Sequence, residues 1–134
     1  MKIINKTKLK KATFPRMGYY TEIFEFLATE LGFEPLIPPK TTQETIKLGV
    51  RHSSDMVCFP FKSTLGNLIQ GLENGADVLI LTMPNPNHRL LETCRFCFYY
   101  PIQDEILKRL GYKFETVYLP MAGFQLIRSL TKIK

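Results

Sequence analysis

Apolar residues recur along this chain at two periods, and the alternation between them predicts most of its elements. Across residues 19–31, Tyr20, Ile23, Phe24, Leu27 and Leu31 fall at helical spacing with Glu22, Glu25 and Glu30 elsewhere on the cylinder, and Gly32 follows as a stop. Residues 33–38, FEPLIP, are short, apolar and bounded by proline, which predicts an edge-like strand or extended segment. Thr41 with Glu44 three residues later has capping-box spacing, so a helix is expected to start there and to be kept short by Gly49. Leu65, Leu68, Ile69 and Leu72 predict a further helix over 63–74, stopped at Gly75. Residues 76–82, ADVLILT, form a continuous apolar run of strand length, the pattern of a strand covered on both faces.

Beyond that strand, Pro84 and Pro86 predict an irregular connection. Pro101 then suits the first turn of a helix that turns Ile102, Ile106 and Leu110 inward and stops at Gly111. The doublet Asp104-Glu105 reads as favourable charge near that helix's N-terminus. Residues 113–119, KFETVYL, predict another strand, and AGFQLIRSL after Pro120 a closing helix. With an opening strand, the order is β-α-β-α-α-β-α-β-α. Such alternation predicts one α/β domain over 1–134: a Rossmann-like, open, mainly parallel sheet with helices on both faces.

Composition narrows the class without changing the fold. The 134 residues are 45% hydrophobic and 22% charged, enough for one buried core and too apolar for disorder. The formal charge is +6, but residues 1–16 carry six basic side chains and no acid, and 128–134 add Arg128, Lys132 and Lys134. The body between them is slightly acidic, so nucleic-acid binding is not expected. No stretch has the length of a membrane span or a signal-peptide core, so a cytoplasmic protein without membrane contact is expected.

Three cysteines, an odd number, suit a reducing compartment with metal or redox chemistry. Cys94 and Cys97 form a CxxC after the connection that leaves the best strand, and Cys58 stands at the entrance to the preceding helix. Loops at the carboxyl ends of parallel strands are where α/β folds place their sites, so all three thiols can converge on one sheet edge. Helix entrances favour thiolates, and Lys62 and Arg95 add positive charge nearby. Three thiolates suit a zinc site completed by His52 or His88, or an iron–sulfur cluster with an open or external fourth position. Against this, Cys58 alone reads as a small buried hydrophobe, each histidine alone as a surface or hydrogen-bonded residue, and Phe96, Phe98, Tyr99 and Tyr100 as ordinary packing. A thioredoxin-like dithiol ranks below metal binding: eleven residues, Met83 to Thr93, separate the strand from the CxxC, and Cys58 is left unused. No glycine-rich phosphate loop is present.

Phe14-Pro15-Arg16 with Tyr19-Tyr20, Asp55 to Lys62 as DMVCFPFK with Gly66, Gly75-Ala76-Asp77 before an apolar strand, and Cys94-Arg95-Phe96 together carry a family pattern. In these, over most of residues 12–120, the chain resembles the activase-associated proteins of the 2-hydroxyacyl-CoA dehydratase superfamily, including double-cubane-type reductase components. The resemblance implies a Rossmann-like domain whose loop cysteines bind an iron–sulfur cluster, 4Fe-4S or related, for low-potential electron transfer. It also implies a separate ATP-dependent activase, or a dehydratase or reductase subunit, as partner. Cys58 and Cys94 match the pattern; Cys97 stands where the family form has glycine, so its place as a ligand rests on CxxC spacing. Family members are longer, with a second α/β domain, so this chain has the length of a half or a fragment, and a half-sized unit invites a homodimer that shares one site. Two other readings stay open: an interaction or scaffold domain that keeps the fold without the cluster, and a zinc-binding domain.

Overall fold

A computed structural model of the chain describes residues 8–83 and 96–120. In chain order the elements are β1 (Lys11–Thr13), α1 (Tyr20–Glu30), β2 (Glu34–Pro35), α2 (Gln43–Arg51), α3 (Phe59–Glu73), β3 (Val78–Met83), α4 (Phe96–Arg109) and β4 (Glu115–Pro120). The four strands form one sheet in the order β2-β1-β3-β4, and every neighbouring pair is parallel. This is the expected α/β, Rossmann-like open sheet. The closing helix after Pro120 and the connection through Pro84 and Pro86 lie outside the described residues.

Direction of travel across the sheet decides which face each helix covers. From β1 the chain steps one way to β2, then back past β1 to β3 and onward to β4, and right-handed crossovers therefore put α1 on one face and α2, α3 and α4 on the other. The core divides accordingly. Leu79 and Leu81 of β3 pack with Phe61, Leu65, Leu68, Ile69 and Leu72 of α3 and with Tyr100 and Leu107 of α4. Val78 and Ile80, one residue out of phase, pack with Ala12, Phe14, Phe24 and Ala28 on the α1 face. All four of these β3 side chains are fully buried, which is why the strand reads as an unbroken apolar run.

Three helices return to the sheet through the same device. Gly32 after α1 and Gly111 after α4 sit at φ +83° and +91°, where a side chain would be strained. The following N–H groups reach back to helical carbonyls, Phe33 to Ala28 and Tyr112 to Leu107, as Schellman closures do. Gly75 after α3 repeats the arrangement, with Ala76 bonded to Gly71. The helix stops that Gly32, Gly75 and Gly111 mark in the sequence are thus one structural solution used three times.

Helix ends and faces differ from expectation for identifiable reasons. Helix α2 is capped by Thr42, one residue on from Thr41, in a reciprocal box with Thr45, and it runs through Gly49 to Arg51. Gly49 is there for contact: a Cβ at Gly49 would collide with the Lys62 carbonyl, and one at Gly66 with the Thr45 carbonyl, so α2 and α3 cross at backbone distance. Helix α3 begins four residues early because Pro60 occupies its first turn. Helix α4 likewise begins at Phe96, leaving Pro101 inside it. Its inward face is Tyr100, Gln103, Asp104 and Leu107, whereas Ile102 and Leu110 are exposed. In α1 the seam on the sheet is Thr21, Phe24 and Ala28, while Tyr20 and Ile23 are exposed.

Asp104, well inside α4, accepts hydrogen bonds from Thr116 of β4 and from Lys108 one turn on. Asp104 thus stands midway along α4 and not, as expected, near its N-terminus; there its charge bears on the neighbouring Tyr118 phenol at high pH. Burial, and then the negative Asp104, push the Tyr118 phenol above its ordinary value; burial and Glu73 do the same for Tyr112. A raised phenol gives stability that is complete below the unfolded value, ordinarily about 10, and is lost as pH rises through the folded value. Tyr118→Phe should therefore leave a shallower fall in melting temperature as pH rises past about 10 than the wild type shows; an unchanged alkaline limb would assign it to other groups.

Candidate functional site

The carboxyl edge of the parallel sheet is where the chain gathers its candidate chemistry. Helix α3 leads into β3 through a short turn and α4 connects β3 to β4, so both helices run antiparallel to the strands and parallel to each other. Their N-termini therefore lie side by side at the carboxyl edge. Cys58 is the N-cap of α3, in extended conformation, with an exposed side chain that makes no capping hydrogen bond. Pro60 falls in the first turn and no acid does, so the amide groups at this end have no side-chain carboxylate facing them there. Lys62, one turn on and partly buried, donates its N–H to the Cys58 carbonyl at 3.3 Å.

Cys97 lies in the first turn of α4, and its side chain is outside the described residues, as are Cys94, Arg95 and His88 altogether. What aligns the two helix entrances is visible. The fully buried Gln103 of α4 donates from Nε2 to the Phe61 carbonyl at 3.0 Å and to Thr64 Oγ1 at 2.9 Å, both in the first two turns of α3. Tyr100, also buried, donates its hydroxyl to Met17 Sδ at 3.4 Å, tying α4 to the loop that leaves β1. Arg16 in that same loop donates to the Pro38 carbonyl at 2.7 Å, beyond β2. The connections leaving β1 and β2 and the entrances to α3 and α4 are thus cross-tied at one end of the sheet.

Sequence reasoning placed Cys58 at this edge and missed the ties. Gln103 and Tyr100 stand three apart on α4, and an apolar pattern, which marked Ile102, Ile106 and Leu110, carries no signal for a polar inward residue such as Gln103. His52 caps the C-terminus of α2 at partial exposure. Among the described residues no three His, Cys, Asp or Glu side chains gather as a metal-binding group, and none of the helices described is long and apolar enough to cross a membrane. An open groove of about 490 Å³ lies at the opposite, amino-terminal edge, lined by Lys8, Lys10, Asp77, Lys113 and Glu115. Its Lys10–Glu115 ion pair is more than half exposed on both sides and contributes little, about 0–1 kcal/mol.

Fold and site together define an α/β open-sheet domain with an exposed cysteine at a helix entrance on its carboxyl edge. Comparison with protein-family models, curated proteins and solved structures found no match to the chain.

Proposed function

We propose that the chain is an iron–sulfur-binding domain for low-potential electron transfer, with Cys58, Cys94 and Cys97 as thiolate ligands and Lys62 and Arg95 offsetting cluster charge. The observation that carries this reading is the exposed, uncapped Cys58 side chain at the N-terminus of α3, beside the parallel entrance of α4, whose first turn holds Cys97. A free thiol at a helix entrance suits a soft metal centre better than a core role, and an exposed position leaves room for further ligands. Bound there, a cluster would supply one-electron chemistry. The residues of this chain would hold it, balance its charge and fix the two helix entrances against each other through Gln103.

On the resemblance to the 2-hydroxyacyl-CoA dehydratase superfamily, the electron donor is an ATP-dependent activase and the acceptor a dehydratase or reductase subunit, in the cytoplasm. Three cysteines leave one position of a 4Fe-4S cluster for an external ligand, a partner subunit or a second copy of the chain. Anaerobic purification with iron, sulfide and zinc analysis and a visible spectrum tests the reading. Expected are iron and sulfide in near-equal amounts with a broad visible absorption that is lost on reduction, and loss of most of the iron in Cys58→Ser. A colourless protein whose iron stays substoichiometric after reconstitution overturns it, and stoichiometric zinc would replace it with a zinc centre.

A further inference from the structure

Helix α1 carries apolar side chains on two opposite sides. Thr21, Phe24 and Ala28 form the buried seam on the sheet. At about 3.6 residues per turn, Ile23, Phe26 and the N-cap Tyr19, which already has helical backbone angles, fall on the side directly opposite. Tyr19, Ile23 and Phe26 are 92%, 53% and 63% exposed. Their spacing, four residues and then three, is that of the a and d positions of a coiled coil, and Glu30 takes the next place in the same line. Tyr20 and Leu27 border this stripe on one side and Glu22 on the other. Among the described residues, no other helix leaves more than two large apolar side chains exposed. Single exposed apolar residues are ordinary on a protein surface, whereas a continuous stripe at seam spacing is the surface a second helix packs against.

We infer that this outward stripe of α1 docks a basic amphipathic helix of a partner protein, laid along it as in a two-stranded coiled coil. Charge selects that occupant. Helix α1 contains Glu22, Glu25 and Glu30 and no Lys or Arg, and none of the three carboxylates has an ion pair among the described residues. Glu30 stands in the line of the seam, where a facing Lys or Arg satisfies it, and Glu22 stands at a flanking position of the kind that sets partner choice. A second copy of α1 would bring no cation to either. From Tyr19 to Glu30 the stripe runs about 16 Å, three turns, so the partner helix needs apolar residues at a and d over roughly two heptads with cations beside them.

The test is titration of the full chain with a labelled synthetic helix of about three heptads, Leu at a and d and Lys at e and g, where the lysines keep the peptide from pairing with itself. Binding with a dissociation constant on the order of 10 μM is expected, although the protein's own charge of +6 opposes it. A twin peptide with Glu in place of Lys should bind at least about tenfold more weakly. Ile23→Ser with Phe26→Ser, and separately Glu22→Gln with Glu30→Gln, should each weaken the Lys peptide at least about fivefold. Both pairs lie on the exposed side, and unchanged protection of the β3 amides from exchange confirms that the variants are folded. Glu44→Gln, in α2 across the sheet, should leave binding unchanged. No binding at about 1 mM peptide, equal binding of the two peptides, or equal weakening by Glu44→Gln would overturn the inference. So would concentration-dependent dimerisation of the wild type that Ile23→Ser with Phe26→Ser abolishes, which would give the stripe to a second copy. None of these readouts depends on bound iron, so this inference and the proposed function fail separately.

Discussion

Gly66→Ala is expected to destabilise the protein by about 2 kcal/mol and to lower its melting temperature by roughly 8 °C. The added methyl group meets the Thr45 carbonyl of α2, which is backbone and cannot swing away. Relief requires α2 to lift off α3, and that pulls at the Thr45–Gln70 and Thr41–Asn67 hydrogen bonds at 2.9 and 3.3 Å. Overpacking costs of this kind reach about 3 kcal/mol, against which alanine's better helix propensity returns about 1 kcal/mol. Gly49→Ala meets the Lys62 carbonyl at the same crossing and should behave alike. Because one separation of the helices relieves both clashes, the double variant should lose clearly less than the sum of the two singles. Urea unfolding checks this: a Gly66→Ala protein as stable as the wild type would mean that the helices do not cross this closely.

Gln103→Glu should cost more, about 3–4 kcal/mol at pH 7, with almost no change in shape. Gln103 is completely buried and uses both its Nε2 bonds to hold Phe61 and Thr64. An ionised carboxylate has no hydrogen to offer the Phe61 carbonyl and brings a charge into a dry interface between α3 and α4. Burial would raise its folded-state pKa above the unfolded value of about 4.3, so stability should be best retained below that value and lost as pH rises through the folded one. Denaturation at pH 4.5 and 7 should therefore show the variant recovering part of its deficit in acid, relative to wild type at each pH. A uniform loss at both values would implicate packing. Gln103→Leu provides the complementary reading: it also removes Oε1, which has no partner among the described residues, so it should lose only about 1 kcal/mol.

Where hydrophobic periodicity and glycine stops speak together, the sequence and the structure agree. The run from Val78 to Leu81 is buried on both faces because helices do cover both, and the glycines at 32, 75 and 111 mark the ends of α1, α3 and α4. Helix faces were less legible, for a common reason. The inward positions of α4 include Gln103 and Asp104, which are satisfied by Phe61, Thr64, Thr116 and Lys108, partners distant in sequence or outside the apolar pattern. In α1 the sheet takes Thr21 and Ala28, small residues that permit close approach, and leaves larger Tyr20 and Ile23 on the flank. Pro101, expected in a helix's first turn, lies inside α4, which begins earlier, at Phe96, and Pro60 stands in the first turn of α3, ahead of the start expected at residue 63. For the site, a cysteine before a helix was enough to place Cys58, because strand–helix alternation alone dictates which edge that helix starts from. The cross-ties that align its entrance depend on tertiary partners that spacing does not reveal.

The strand order also sets a sequence of events for the emerging polypeptide. Lys11 of β1 meets Glu34 of β2 after a short excursion through α1, but Ala12 meets Val78 of β3 only once α1, β2, α2 and α3 have all been made. The extra loop-closure entropy is modest, roughly 1 kcal/mol, since it grows only with the logarithm of the intervening length. Timing is a different matter. During synthesis β1 has its β3-facing edge unpaired until β3 has left the ribosome, and the α2–α3 pair, joined at Gly49 and Gly66, can assemble before it. Arrival of β3 then joins a strand–helix–strand unit made early to a helical hairpin made later, so its apolar run is the segment whose late delivery completes the sheet.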